Sequence, residues 1–307
     1  MQRTPVTIVV GFLGSGKTTV ISYLMEYLLS AGEKVVYIKN ELGFEDLDAD
    51  IISDTFPNVV TKKITVGALH HAPLGQLRSY LHQVLDEEKP DRIIIETAGS
   101  EGTADPVSLS VLVQHDPLFY NDGLFKIIDV ENFTGYDQLE DYTKEKTKCV
   151  DIVFLNKLEL VDQERREVVV GYIREHNETS PIVEAPEGKI HPELAFGVHM
   201  NQDKTPPKIK LYNDHIDAIN YISEKTFDRS KIETAFAQLP KNVFRMKGFV
   251  KTENGVEIFN GVHARFDWLP NTKHNDSEQT KLIFVGSKID KSKDEIFALL
   301  DGCVSTT

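Results

Sequence analysis

Cysteine is almost missing from this chain: Cys149 and Cys303 are the only 2 among 307 residues, and they lie far apart. Such a pair is neither a disulfide framework nor a thiolate metal motif, and a reducing compartment is the simplest setting. Positive charge is the second deficit. Lys and Arg number 34 against 48 Asp and Glu, leaving a net charge of −14. Nonspecific binding to nucleic acid depends on basic surface, so no nucleic-acid partner is expected. Long apolar runs are also lacking; none approaches the roughly 20 residues that a membrane span needs. No cationic, apolar leader precedes the first strand-like run, so the expectation is a cytoplasmic protein without a membrane partner. There is no internal repeat. What remains is an ordinary globular composition, 40% hydrophobic and 27% charged, at a length that suits two domains.

The strongest positive signal is Val9 to Thr19, VVGFLGSGKTT. Gly11, Gly16, Lys17 and Thr18 fit G-x-x-x-x-G-K-[ST], the phosphate-binding loop. Glycines reach backbone angles that other residues resist, so successive N–H groups can turn inward as an anion cradle. Lys17 brings a positive charge to the β and γ phosphates, and the Thr18 hydroxyl can hold Mg²⁺. Gly11, Leu13, Gly14, Ser15, Gly16, Lys17, Thr18 and Thr19 are therefore expected to line a nucleotide. Context agrees with the pattern. Val6 to Val10 is a β-branched apolar run, and Val20, Ile21, Leu24, Leu28 and Leu29 follow at helical spacing until Gly32.

Further apolar runs continue the alternation. Lys34 to Lys39, Arg92 to Ile95, Leu124 to Val130, Asp151 to Leu155 and Pro181 to Glu184 read as strands. Val59 to Thr65 is a short strand or an irregular edge. Leu74, Leu77, Leu81, Val84 and Leu85 mark one face of an amphipathic helix, and Glu164 to His176 can form another. The acidic run from Glu45 to Asp50 reads as a solvated loop. The alternation predicts an α/β fold of the P-loop NTPase type, a mostly parallel sheet covered by helices. Ligands of such sheets bind beyond the carboxyl ends of the strands, where Gly11, Asn40, Glu96 and Asn156 all fall.

The texture changes near residue 200. The expected organisation is a nucleotide-binding domain over 1–200, a linker over 201–208 (NQDKTPPK) and a smaller α+β domain over 209–307. In that second part, Asp214 to Ser223 and Lys231 to Leu239 read as helical. Val243 to Lys251, Val256 to Asp267 and Lys281 to Gly286 read as strands, and Lys291 to Leu300 as a last helix.

Two more segments carry chemistry. Asn156-Lys157-Leu158-Glu159 differs by one methylene from N-K-x-D, the guanine-reading sequence of GTPases. There a carboxylate accepts hydrogen bonds from N1–H and the exocyclic amine of guanine, a donor pair that adenine lacks. Glu159 keeps the charge but moves it outward; the plainer reading is a strand followed by an Asn-initiated turn. In Glu96-Thr97-Ala98-Gly99, a carboxylate ends a strand where it can act near Mg²⁺, and the Gly99 amide can meet a γ-phosphate. Isolated histidines at 191, 199, 263 and 274 are expected to be ordinary surface or core residues, and Cys149 a small apolar packer.

Taken together these segments resemble the CobW-type metallochaperone GTPases, of the broad class that serves urease and hydrogenase maturation. The resemblance rests on GFLGSGKTT, on NELG followed by Asp48, on ETAG, IIDVENF (Ile127 to Phe133) and NKLELVD. RMKGFV (Arg245 to Val250) and KLIFVG (Lys281 to Gly286) extend it to the small second domain. It implies a two-domain, GTP-hydrolysing protein that delivers zinc or cobalt, or helps to install a metal cofactor, for a client metalloenzyme or cofactor-containing protein. It also implies that Asn177 and Pro181-Ile182 close over the base.

One stretch departs from the family. Its members usually carry G-C-x-C-C, whereas this chain has Gly67-Ala68-Leu69-His70-His71, without cysteine. Two imidazoles still suit Zn²⁺, Co²⁺ or Ni²⁺, but on a strand they would point to opposite faces and so need a loop and further donors. Glu41, Glu45 and Asp48 are the available carboxylates. The expected metal-site residues are thus Thr18, Glu41, Asp48 and Glu96 with His70 and His71, and the expected catalytic residues are Lys17, Glu96 and Asp48. The leading expectation is a slow, Mg²⁺-dependent GTPase acting as a metal-delivery or insertion chaperone. A GTP-dependent client activator that transfers no metal, and an ATP-using P-loop enzyme, are the alternatives.

Overall fold

The structure is a computed structural model that describes residues 3–40, 47–64, 74–97, 106–135, 150–196, 216–262, 265–271 and 279–305. Two compact units emerge, Thr4–Ile190 and His191–Thr307 with the first three residues. The linker expected at 201–208 lies outside the described residues.

The first unit contains strands β1 (Thr4–Gly11), β2 (Val35–Asn40), β3 (Val60–Ile64), β4 (Arg92–Glu96), β5 (Phe119–Asp129), β6 (Ile152–Asn156) and β7 (Ile182–Ala185). They form a seven-stranded sheet in the order β3-β2-β4-β1-β5-β6-β7. Every pairing in it is parallel. Helices α1 (Lys17–Ser30), α2 (Leu47–Thr55), α3 (Leu74–Glu88), α4 (Pro106–His115) and α5 (Gln163–His176) accompany it. A parallel sheet needs such crossovers, and its strands are buried on both faces. Val6, Ile8, Val36, Ile38, Ile93 and Ile95 make one core with Leu77, Leu81 and Val84 of α3 and with Leu109 and Val113 of α4. The opposite face of β1 and β2 packs against α1, whose Val20, Ile21, Leu24 and Leu28 are buried.

Two segments of this unit depart from expectation. β5 begins at Phe119 rather than Leu124, although Asn121 and Asp122 interrupt the apolar run. Both are buried and both find partners: the Arg92 guanidinium donates to Asp122, and the Asn121 amide reaches Ser110 Oγ. Arg92 also donates to Glu33 at 2.9 Å. Burial opposes its charge, but Glu33 and Asp122 outweigh that and hold the guanidinium above its ordinary pKa. The acidic run is the second departure, because residues from Leu47 onward are helical rather than a loop.

The second unit holds a five-stranded antiparallel sheet, ordered β11-β10-β9-β12-β8. Its strands are β8 (Ile216–Ser223), β9 (Val243–Thr252), β10 (Gly255–Val262), β11 (Arg265–Pro270) and β12 (Thr280–Ser287). The short helix α6 (Pro192–Phe196) leads into it, and α7 (Arg229–Ala237) and α8 (Lys293–Asp301) cover one face. Residues 216–223 are a strand, which corrects the helix expected there. Ile216, Ile219 and Ile222 fit a helical period as well as a β-rich composition, and eight pairings with β12 decide for the strand. The single run expected from Val256 to Asp267 is likewise the hairpin β10–β11. On the other face the buried Arg245 and Lys247 donate to the carbonyls of Ala195 and Phe196, at 2.6 and 2.9 Å. These cations satisfy the end of α6, whose last carbonyls lack helical partners. Among the described residues no helix is long and apolar enough to cross a membrane.

Candidate functional site

Gly11, Asn40, Glu96 and Asn156 are the last residues of β1, β2, β4 and β6. The strands are parallel, so all four stand at one edge of the sheet, as the strand-end reading expects. β1 lies between β4 and β5, and the connection from β1 to α1 is the glycine-rich loop.

Gly14 (φ 77°) and Gly16 (φ 91°) take left-handed backbone angles, where a side chain would be strained. Gly16 caps α1 without a side-chain hydrogen bond, which leaves the first-turn amides directed out of the helix. Lys17 is buried and lies back over the loop, donating to the carbonyls of Gly11 and Phe12 at 3.0 and 3.1 Å. Leu13 and Thr19 are exposed. Two observations fit this loop to a phosphate group. Ser15 Oγ is a buried hydroxyl without a partner among the described residues. A side chain at Gly11 would fill the cradle, because its Cβ would stand 2.7 Å from that oxygen and 2.5 Å from the Ile127 carbonyl.

Thr18 and Glu96, both expected near a Mg²⁺ ion, stand side by side. Thr18 Oγ1 lies 3.3 and 3.4 Å from the two Glu96 oxygens. Glu96 is fully buried, and β2 supplies its closest partners: Tyr37 OH donates at 2.6 Å to Oε2, and Lys39 Nζ at 2.6 Å to Oε1. Sequence reasoning missed Tyr37 and Lys39. The available signal was a lysine inside an otherwise apolar strand that ends at the site.

The end of β6, where a base is expected, is built around Asn156. Its Nδ2 donates to the Ser15 carbonyl at 2.9 Å, and its Oδ1 accepts from the amides of Lys157 (2.9 Å) and Gly188 (2.8 Å). One amide side chain thus joins the phosphate loop to the one-turn 3₁₀ segment Pro186–Gly188 that follows β7. Lys157 (φ 62°) turns the chain in the left-handed region, and its ammonium pairs with Asp129 at 2.7 Å. Burial opposes ionisation of Asp129, but hydrogen bonds from Asn132 and Lys157 hold its carboxyl below the usual carboxylate range. Glu159 is exposed, and its Oε2 accepts from the Glu187 amide at 3.2 Å. Asp129, Glu187 and Gly188 are further site residues that the sequence reading did not single out.

Asn177 and Pro181 do not close over this end. Asn177 bonds Ser180, and the Pro181 carbonyl accepts from Val153 at the start of β6, on the opposite edge of the sheet. The chain returns to the site only after β7, at Pro186.

Asp48 lies in the first turn of α2. Glu41, Glu45, His70, His71 and Gly99 lie outside the described residues, as do Cys149, His199, His263 and His274. Among the described residues no group of three or more His, Cys, Asp and Glu could hold a metal ion. His191 belongs to the second compact unit, where burial pushes its imidazole down to about 4.

Residues 5–184 match the family described as CobW/HypB/UreG, nucleotide-binding domain. Residues 216–304 match the cobalamin synthesis protein cobW C-terminal domain. The chain is 23% identical to the zinc chaperone YjiA of Escherichia coli (strain K12) over 329 residues, spanning 98% of this chain and 99% of that protein. It is 25% identical to the zinc chaperone CobW of Sinorhizobium sp over 245 residues, spanning 69% and 67%. With the zinc-regulated GTPase metalloprotein activator 1 of Dictyostelium discoideum the identity is 23% over 315 residues, spanning 88% and 64%.

Proposed function

The chain belongs to the CobW/HypB/UreG family of nucleotide-binding proteins, and from that membership we propose that it is a Mg²⁺-dependent GTPase that delivers a metal, or helps to install a metallocofactor, in a client metalloprotein. The observation that carries the reading is the double attachment of Asn156, to the phosphate loop on one side and to the Pro186–Gly188 turn on the other. In this reading a single residue links the loop that would hold a triphosphate to the turn that would border a base.

In this reading Lys17 leaves the loop carbonyls to neutralise phosphate charge, and the backbone from Gly11 to Thr19 wraps the phosphates. Thr18 would offer its hydroxyl oxygen to Mg²⁺ with Glu96 orienting that hydroxyl, and the ion would supply neutralisation of phosphate charge. Asp48 orders the attacking water, and Gly99 gives its amide to the γ-phosphate. Glu159 accepts from the guanine edge beside Lys157. Neither 40–50 nor 96–105 contains an arginine, so the intrinsic rate is slow, well under the ~10 s⁻¹ typical of enzymes. GTP orders these segments and hydrolysis releases them, which couples the nucleotide to the client. The relatives named as zinc chaperones support metal delivery. His70 and His71 with Glu41 are the donors we assign to it, a nitrogen and oxygen set suited to Zn²⁺, Co²⁺ or Ni²⁺.

A second reading is favoured by one sequence fact, the absence of cysteine from Gly67–His71. It is a GTP-dependent client activator that transfers no metal. Titrating GTP and ATP, each with and without Zn²⁺, Co²⁺ and Ni²⁺, separates the possibilities. GTP should bind at least tenfold tighter than ATP, and Glu159→Ala should erase that preference. Equal binding of the two nucleotides overturns the GTPase reading. A double His70→Ala/His71→Ala variant should lose transition-metal affinity; unchanged affinity favours the metal-free activator.

A further inference from the structure

Glu96 stands directly opposite Lys39 in the parallel ladder of β2 and β4. Alternate residues of a strand share a face, so Tyr37 and Lys39 flank the carboxylate together. All three side chains are buried: Tyr37 and Glu96 fully, Lys39 to within 2%. The contacts are unequal. Tyr37 and Lys39 each approach a Glu96 oxygen to 2.6 Å, whereas Thr18 Oγ1 stands 3.3 Å from the nearer one. The acidic group at the corner of the nucleotide site is therefore held first by a fixed ammonium and only then by the loop threonine. Two opposite charges at this separation offset a large part of each other's field on a third charge nearby, and burial leaves little water to screen the remainder.

We propose that Lys39 is a positioning residue that sets the Mg²⁺ requirement of nucleotide binding: its ammonium neutralises Glu96, so the carboxylate orients the Thr18 hydroxyl and does not itself draw the divalent cation. Thr18 is then the protein's own metal ligand, and the corner stays a weak site for a divalent ion unless a triphosphate brings further oxygens. This separates the resident Mg²⁺ from any ion carried as cargo, since a bare transition-metal ion meets an ammonium rather than an open carboxylate at Glu96.

The inference rests on the Mg²⁺–GTP reading, and its test distinguishes the two. A fluorescent GTP analogue is titrated into the full chain at a series of Mg²⁺ concentrations, and the Mg²⁺ midpoint of binding is read. Lys39→Met should lower that midpoint at least fivefold. Because that variant leaves a buried carboxylate without its cation and can fail to fold, Lys39→Gln, which keeps an N–H donor, is measured beside it and should lower the midpoint at least threefold. Tyr37→Phe removes a hydrogen bond from the same carboxylate but no charge, and should shift the midpoint less than either. Equal shifts from Tyr37→Phe and the Lys39 variants would reduce the effect to geometry and overturn the proposal. Mg²⁺-dependent binding with an unchanged midpoint in the folded Lys39 variants overturns it as well, and leaves the GTPase reading standing. Failure of the native chain to bind the analogue at any Mg²⁺ concentration overturns both.

Discussion

Asn156 and Ser15 are 141 positions apart in sequence, and the amide of one donates to the carbonyl of the other at 2.9 Å. The bond fixes the phosphate loop against the end of β6. Because the same side chain also accepts from Gly188, one residue bonds both the loop and the turn that follows β7.

Asn156→Ala therefore removes the partner of three backbone groups at once, the Ser15 carbonyl and the amides of Lys157 and Gly188. Each orphaned group costs about 1–2 kcal/mol, so a loss of about 3–6 kcal/mol in urea unfolding is expected, with nucleotide affinity lowered at least tenfold. A variant that loses affinity but no stability would show that Asn156 serves the ligand alone.

Gly16→Ala tests the loop from the opposite side. The added Cβ would stand 2.2 Å from Asn156 Nδ2, at a backbone angle of φ 91°. The left-handed angle alone costs about 1–2 kcal/mol, and Asn156 is too firmly bonded to retreat. Nucleotide binding should be lost in isothermal titration while far-ultraviolet circular dichroism stays native.

Glu187 is a non-glycine residue at φ 52°. Its contact with Glu159 runs through the backbone amide, not the carboxylate. Glu187→Gly should thus be neutral or stabilising by about 0.5–1 kcal/mol in thermal melts, and should keep the preference for GTP over ATP. Loss of that preference would assign a role to the side chain.

Arg92 is buried between Glu33 and Asp122 at the end of β4 remote from the site. Arg92→Met removes the guanidinium from both carboxylates and should cost about 3–5 kcal/mol in denaturant unfolding. A loss under 1 kcal/mol would mean that the pairs relax to solvent.

His191 gives a pH dependence. Burial depresses it to about 4 in the folded chain from an ordinary 6.5. The unfolded chain consequently binds the proton first. Stability is whole above pH 6.5 and declines as the pH falls toward 4, by at most about 3 kcal/mol. Burial raises the nearby Glu193 carboxyl, which acts in the opposite direction on acidification. Comparison with His191→Gln isolates the histidine: the variant should show a flatter loss of stability between pH 6.5 and 4. Trp268, the chain's 1 tryptophan, lies in the same compact unit and reports its unfolding by fluorescence.

Both polar interruptions and periodic coincidences misled the reading of elements. Asn121 and Asp122 look like the end of a strand, yet Ser110 and Arg92 satisfy them inside one. Ile216, Ile219 and Ile222 look helical, yet β12 offers a ladder that a helix would forfeit. In each case the deciding partner lies far along the chain, so no local window contains it.

What the sequence determined by itself is local. A phosphate cradle needs glycines and a lysine at fixed spacing, and a strand end needs only its own few residues, so Gly11 to Thr19, Glu96 and Asn156-Lys157-Leu158-Glu159 were legible as contiguous text. Tertiary structure decided who surrounds them. The order β3-β2-β4-β1-β5-β6-β7 sets β2 beside β4, and only that adjacency brings Tyr37 and Lys39 onto Glu96. The return of the chain after β7 likewise brings Glu187 and Gly188, rather than Asn177, to Glu159 and Asn156. Strand order depends on how the crossover helices bury their apolar faces, a property of the whole core that no single motif encodes.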